Sequence, residues 1–307
     1  MKSIKQRYAI AAMIAVIFAV IFLITVYFFV YTIRGQNWDQ AGVVAVRSHA
    51  NVLYPPLLKF FAVFPISAAL ITGAILGVYA FFTKRWRQYI ACGFMLLSAN
   101  ITTQLFKRFI IERPEYIQTY WYNKVTGQEI NSMPSGHTTV AATLVMAVVI
   151  MVPIEKRNLV SFLGIFFYTG IATLLFLGNF HRASDVVGAF MVVGFWMVLS
   201  LIILAKLSID LPEDNRWSPF PDIISGVALM IFLLVCLVLS VIIIRADKES
   251  MGVQRYNQLV SYDAMSLIFA GGCLLHILTM AALRVLATGK LLPWQTWRPI
   301  TNHSNSN

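Results

Sequence analysis

Charge is what this sequence has least of: Asp, Glu, Lys and Arg together make up 12% of its 307 residues, against 59% hydrophobic. A soluble domain is about a quarter charged and about half apolar, so an ordinary water-solvated globule is excluded and a bilayer is implied as the solvent. Cysteine is scarce too. Cys92, Cys236 and Cys273 all fall within long apolar runs and share no metal-ligand spacing, so they suggest no metal site and report no redox compartment. No internal repeat is visible, which argues against a transporter of inverted halves. Acidic residues number 13 against 24 basic, and the net charge of +11 would by itself suit nucleic acid. The basic residues, however, sit in short loops beside apolar runs. They are therefore read as topology signals and contacts for anionic lipids, with no nucleic acid partner.

What the sequence has is length of apolar run. A bilayer-spanning helix needs roughly 20 apolar residues. Eight runs qualify, near 8–33, 60–82, 88–106, 137–154, 159–179, 185–205, 222–244 and 264–287. The first is too long for a signal-peptide core and is read as a retained span. The fold class predicted is all-α, a polytopic membrane helical bundle. A charged segment at 206–221, rich in proline, divides it. Residues 1–207 are expected to form a six-span core, 208–300 an additional two-span hairpin, and 301–307 a disordered polar tail. An N-terminus inside leaves 13 Lys and Arg on the cytoplasmic side and 11 outside, so both termini are assigned to the cytoplasm. If four of the outer cations belong to a binding site, the bias becomes 13 against 7.

Two outer connections are long. The first, 33–59, is polar and carries Asn37, Asp39, Arg47, His49 and Asn51 before Pro55 and Pro56. The second, 107–134, is rich in aromatics; Tyr116, Tyr120, Trp121 and Tyr122 fit an interfacial belt, with substrate contact as the alternative.

Three clusters of polar residues fall on the same expected face. Lys107, Arg108, Glu112, Arg113 and Pro114 end the third run. Adjacent cations at a membrane edge make an anion site, and Arg grips phosphate oxygens in bidentate fashion. Met133-Pro134-Ser135-Gly136-His137 opens the fourth run. Free N–H groups at a helix start favour an anion such as phosphate, and His137 is a natural proton donor to a leaving group. His181-Arg182-Ala183-Ser184-Asp185 precedes the sixth run. His181 and Asp185 are four apart and share a helical face, so the carboxylate can fix the imidazole tautomer and make it nucleophilic. Each cluster alone has a plainer explanation: a snorkelling basic collar, an N-cap at Ser135, or Asp185 capping or pairing with Arg182. Together they supply the parts for phosphoryl transfer through a phospho-histidine.

The combination resembles the signature of the type 2 phosphatidic acid phosphatase (lipid phosphate phosphatase) family, related to vanadium-dependent haloperoxidases. The likeness covers roughly 88–207 and is closest at 134–137 and 181–185. It departs in two places. The family has six residues between its Lys and Arg-Pro, whereas Lys107 and Arg113 have five between them. The family's Ser-Arg pair falls where this chain has Leu174 and Leu175, so Arg182 is expected to stand in for the missing Arg. Carried over, the resemblance implies that His181 attacks phosphorus, Asp185 orients it and His137 serves as acid and then base. Lys107, Arg113, Ser135 and Gly136 would hold the phosphoryl oxygens. No metal and no cofactor are implied. The expected function is a membrane lipid phosphate or pyrophosphate phosphatase acting on the extracytoplasmic face. Its partner would be a lipid phosphate substrate such as a polyprenyl pyrophosphate, phosphatidylglycerol phosphate or phosphatidic acid. The alternatives are a lipid phosphotransferase and a non-catalytic lipid transporter or binding protein. His276, within the last run, is read as a helix–helix hydrogen bond.

Overall fold

A computed structural model describes residues 3–114, 116, 131–207, 218–245 and 251–291, with the side chains of 47–55 excepted. The aromatics Tyr120, Trp121 and Tyr122, most of the 206–221 divider and the 301–307 tail lie outside the described residues. The described residues contain helices and no strand: α1 (Ile4–Tyr31), α2 (Ile33–Thr83), α3 (Trp86–Leu105) with a π-helical turn (Phe106–Ile110), α4 (Gly136–Met151), α5 (Ile154–Leu177), α6 (Ala183–Lys206), α7 (Phe220–Arg245) and α8 (Val253–Thr288).

Seven of these segments are long and apolar enough to cross a membrane, α2 through its Pro56–Thr83 portion. The fourth of the eight expected spans is shorter than expected. α4 has only 16 residues, because Ser135 caps its start and Pro153 follows its end. The first outer connection also differs. Residues 33–46, expected as a polar connection, are helical and continue into the span. Thr32 caps the start, its hydroxyl accepting from Gly35 N–H. Gln36, Asp39, Val43 and Val46 fall at helical spacing and are all buried. The polarity of this stretch marks a helix whose inner face is turned onto other polar groups, not a solvated loop.

Packing centres on α6 and α8, whose most apolar windows are each 72% buried, whereas α7 is 6% buried and lies at the periphery. α6 contacts α1, α3, α4 and α8. Small residues make this possible, as expected where lipid offers no hydrophobic drive between helices. The Phe18 ring lies against Gly194 so closely that a Cβ there would stand 2.3 Å from it, and Gly188 meets Met133 and Phe22 in the same way. α8 packs on α7 and also on α1, α2, α5 and α6. His276 of α8 bonds through Nδ1 with Ser161 of α5 at 2.9 Å, and Tyr168 of α5 donates to the Gly272 carbonyl.

Candidate active site

The loops before α4 and α6 are tied to each other. Ser135 N–H donates to the Asp185 carbonyl at 2.9 Å, and the Ser135 hydroxyl accepts from Thr138 N–H as the α4 N-cap. Gly136 is then the first residue of α4. After α5 the chain folds back through Asn179, at positive φ, and the N–H groups of Phe180 and His181 both donate to the Leu175 carbonyl. Position 175, where the resembled family has an arginine, is thus a fully buried leucine that anchors the His181 loop by its backbone.

Asp185 is the hub of the site. One of its oxygens, Oδ2, stands 3.4 Å from His181 Nδ1, accepts from Arg182 N–H at 3.1 Å and accepts from the Ser132 hydroxyl. It therefore both caps α6 and holds the imidazole. The plain reading and the chemical one are compatible because the cap bond comes from the residue next to the histidine. The bond at Nδ1 leaves His181 Nε2 as the nitrogen available for attack. Arg182 is buried and donates from Nη1 to Ser132 Oγ at 3.1 Å. His137 lies across from His181, ring centroids 6.0 Å apart, with its Nε2 3.1 Å from the Phe61 carbonyl.

The cationic cluster reaches the site along two routes. Lys107 sits in the π-helical turn, where Ile111 N–H reaches back to the Phe106 carbonyl, and its charge is felt at His137. That turn falls within the stretch whose spacing departs from the family, and π-turns inside helices concentrate at functional sites. Asn131 closes the segment by donating to the carbonyls of Lys107 and Ile111. Arg113 is buried, and its Nη2 lies 3.6 Å from Asp39 Oδ2. Gln36 of α2 donates to the Pro114 carbonyl at 2.7 Å, fastening α2 to this end of the site.

Asp39 and Ser132 are site residues that the sequence pattern did not single out. Asp39 accepts from Ser184 Oγ at 2.6 Å and lies within the electrostatic reach of both Arg113 and Arg182. Burial pushes its carboxyl up to about 6, against the pull of the two guanidiniums and the Ser184 bond, with Asp185 adding to the rise. The available signal was its rarity, one of 13 acidic residues in a chain that avoids charge. Ser132 lies just ahead of the second cluster and had no pattern of its own. All the other anticipated residues converge: His137, His181, Asp185, Lys107, Arg113, Ser135, Gly136 and Arg182 come from three separate stretches of chain onto one end of the bundle.

Residues 88–209 match the family model for the PAP2 superfamily. No curated protein and no solved structure matched the chain. The match begins at the start of α3 and ends just past α6, so it encloses every one of these residues except Asp39. Residues 88–209 of this membrane-spanning chain are thus similar to the PAP2 superfamily.

Proposed function

We propose that the protein hydrolyses a lipid phosphate or pyrophosphate through a phospho-histidine, at the extracytoplasmic face, with both termini cytoplasmic. The observation that carries the reading is the His181–Asp185 pair, held through Nδ1 at 3.4 Å, with a second imidazole whose centroid is 6.0 Å away. A lone binding site for phosphate needs cations; it does not need a nucleophile whose tautomer is fixed and a second ring beside it.

In the first step His181 Nε2 bonds to phosphorus as the bond from phosphorus to the ester or bridging oxygen breaks, and His137 gives that oxygen its proton. Asp185 stabilises the positive charge that develops on the His181 ring. In the second step His137 takes a proton from water, the water oxygen bonds to phosphorus, and the N–P bond breaks to release inorganic phosphate. Lys107, Arg113 and Arg182 supply positive charge for the equatorial oxygens, and the Ser135 and Gly136 segment at the α4 start adds the helix N-terminus. These residues accomplish the transfer without a metal.

A lipid substrate is supported by a lateral groove of about 240 Å³ between α1, α3 and α6, lined by Phe22, Leu23, Thr102, Phe106, Met191 and Trp196 among others. Phe106, which lines this groove, directly precedes Lys107 in the chain. Residues 208–300 are proposed as an addition to the six-span catalytic unit, fastened on by α8. The test is phosphate release by the purified protein in detergent from a polyprenyl pyrophosphate, phosphatidylglycerol phosphate and phosphatidic acid, without added metal, with His181→Ala alongside. Release that disappears in the variant supports the phosphatase. No release from folded wild type moves the reading to transfer, transport or binding.

A further inference from the structure

The phosphoryl site contains an acid that its family signature does not supply. Asp39 comes from α2, before the matched region, and its Oδ2 is 3.6 Å from Arg113 Nη2 and 2.6 Å from Ser184 Oγ. It is 2% exposed, and its Oδ1 has no hydrogen-bond partner among the described residues. The acid therefore occupies the same guanidinium on which a phosphoryl oxygen is expected to rest. We infer that Asp39 is a further substrate-contacting residue and that it takes up one proton when an oxyanion docks between Arg113 and Arg182. This rests on the reading of the site as one for phosphoryl groups.

The comparison of costs decides the protonation state. Two like charges about 4 Å apart, at an effective dielectric constant of about 20, disfavour binding by roughly a thousandfold. Placing a proton on a carboxyl that titrates at about 6 disfavours binding at pH 7 by only about tenfold. Protonation is the cheaper route. It also turns a repelling acceptor into an O–H donor, so the partnerless oxygen gains a phosphoryl oxygen to bond. The groups that face Asp39 are Arg113 from the stretch after α3, and Arg182, Ser184 and Asp185 from the α6 start. Of the other helices packed on α2, α8 brings Asp263, whose carboxylate is engaged by Trp38 Nε1, and α4 brings His137, engaged at Phe61. A carboxylate that merely held Arg113 in place would stay charged and take up no proton, which separates the two roles.

The probe is inorganic sulfate, whose charge is constant across about pH 5 to 8, so that any linked proton belongs to the protein. Binding to the full-length protein in detergent is followed by calorimetry in two buffers of different ionisation enthalpy. The expected result at pH 8 is about one more proton taken up per sulfate by wild type than by Asp39→Asn. Wild-type affinity should fall up to about tenfold per pH unit above pH 6, and the Asn variant should bind tenfold or more tighter at pH 8. Ser184→Ala keeps the acid but removes the bond that favours its charged form, so the wild-type midpoint should move to higher pH. That measurement stands if Asp39→Asn does not fold. Equal proton uptake in wild type and Asp39→Asn, or an unmoved midpoint in Ser184→Ala, overturns the inference. If phosphate is released from a lipid while those results hold, the inference fails alone. Absence of both sulfate binding and phosphate release takes the phosphatase reading with it.

Discussion

Arg182 Nη1 donates to Ser132 Oγ at 3.1 Å, and Ser132 in turn donates to the carboxylate that holds His181. A guanidinium is thus linked through Ser132 to the Asp185 hub, although the position of the family arginine is occupied by Leu175, whose side chain is buried in the core. If Arg182 replaces the missing cation, Arg182→Ala should lower kcat/KM by about 100-fold or more, the size seen when one preorganised charge or donor is removed from a transition state. Ser132→Ala removes only one hydroxyl from the Asp185 hub and should cost about tenfold. Turnover unchanged in Arg182→Ala would rule the replacement out.

The two histidines should separate kinetically. With an aryl phosphate, whose leaving group departs without a proton, His137→Ala still permits attack by His181 but lacks the base for the second step. A labelled, acid-labile phospho-enzyme should accumulate while turnover falls by about 10²- to 10⁴-fold. His181→Ala should show neither label nor turnover. Label in His181→Ala would place the nucleophile elsewhere.

Stability should carry the signature of Asp39. Its carboxyl is raised from the ordinary 3.8 to about 6, chiefly by burial, so the folded state binds the proton more tightly than the unfolded one. The sign follows: stability falls as pH rises from about 4 to about 6 and is level above, a loss of about 3 kcal/mol from this group. Asp39→Asn, which has no charge to bury, should unfold at higher temperature than wild type at pH 7.5, and the difference should close near pH 4. Parallel melting curves for the two proteins at both pH values would contradict this.

The far end of α5 from the active site carries a second buried charge cluster. Arg284 of α8 donates to Asp222 of α7 at 2.9 Å, and Asn158 of α5 donates to the other Asp222 oxygen at 2.6 Å. Removing one ion leaves its partner charged and buried, so Arg284→Met or Asp222→Asn should each destabilise the protein by about 3–5 kcal/mol. The double variant should lose less than the two single variants together, because it leaves no unpaired charge. Denaturant midpoints for the three proteins measure it; strict additivity would show that the pair is not coupled.

The sequence disclosed the parts whose cause is local. Apolar run length marked the helices, with α4 overestimated because Pro153 stops it at Met151 and leaves 16 residues. The signature clusters announced His137, His181, Asp185 and the cations, since their chemistry is tied to short spacings. Asp39 stayed hidden for a physical reason. Its role depends on α2 folding back so that Gln36 reaches Pro114 and Asp39 reaches Arg113 and Ser184, contacts between residues 74 or more positions apart. A polar stretch between apolar runs looks the same in sequence whether water or a buried site satisfies it. The His276–Ser161 bond was legible because a histidine inside a span has few other solutions.

The lateral groove makes a prediction about the lipid tail. Leu23 lines it from α1 and is exposed toward the lipid, so added bulk there narrows the groove without disturbing the core. A hydrocarbon chain leaving a bilayer or micelle gains little hydrophobic free energy, because its surroundings were already apolar; what remains is packing. The effect of blocking the groove should therefore be modest. Leu23→Trp is expected to raise KM for long-chain lipid phosphates by about three- to tenfold, on the order of 1 kcal/mol. Hydrolysis of a short-chain, water-soluble phosphate should be unaffected, since its phosphoryl group meets the same cations and histidines. Equal losses on both substrates would mean that the substitution acts on the site itself and that the groove does not receive the tail. No loss on either would mean that the tail lies elsewhere along the bundle.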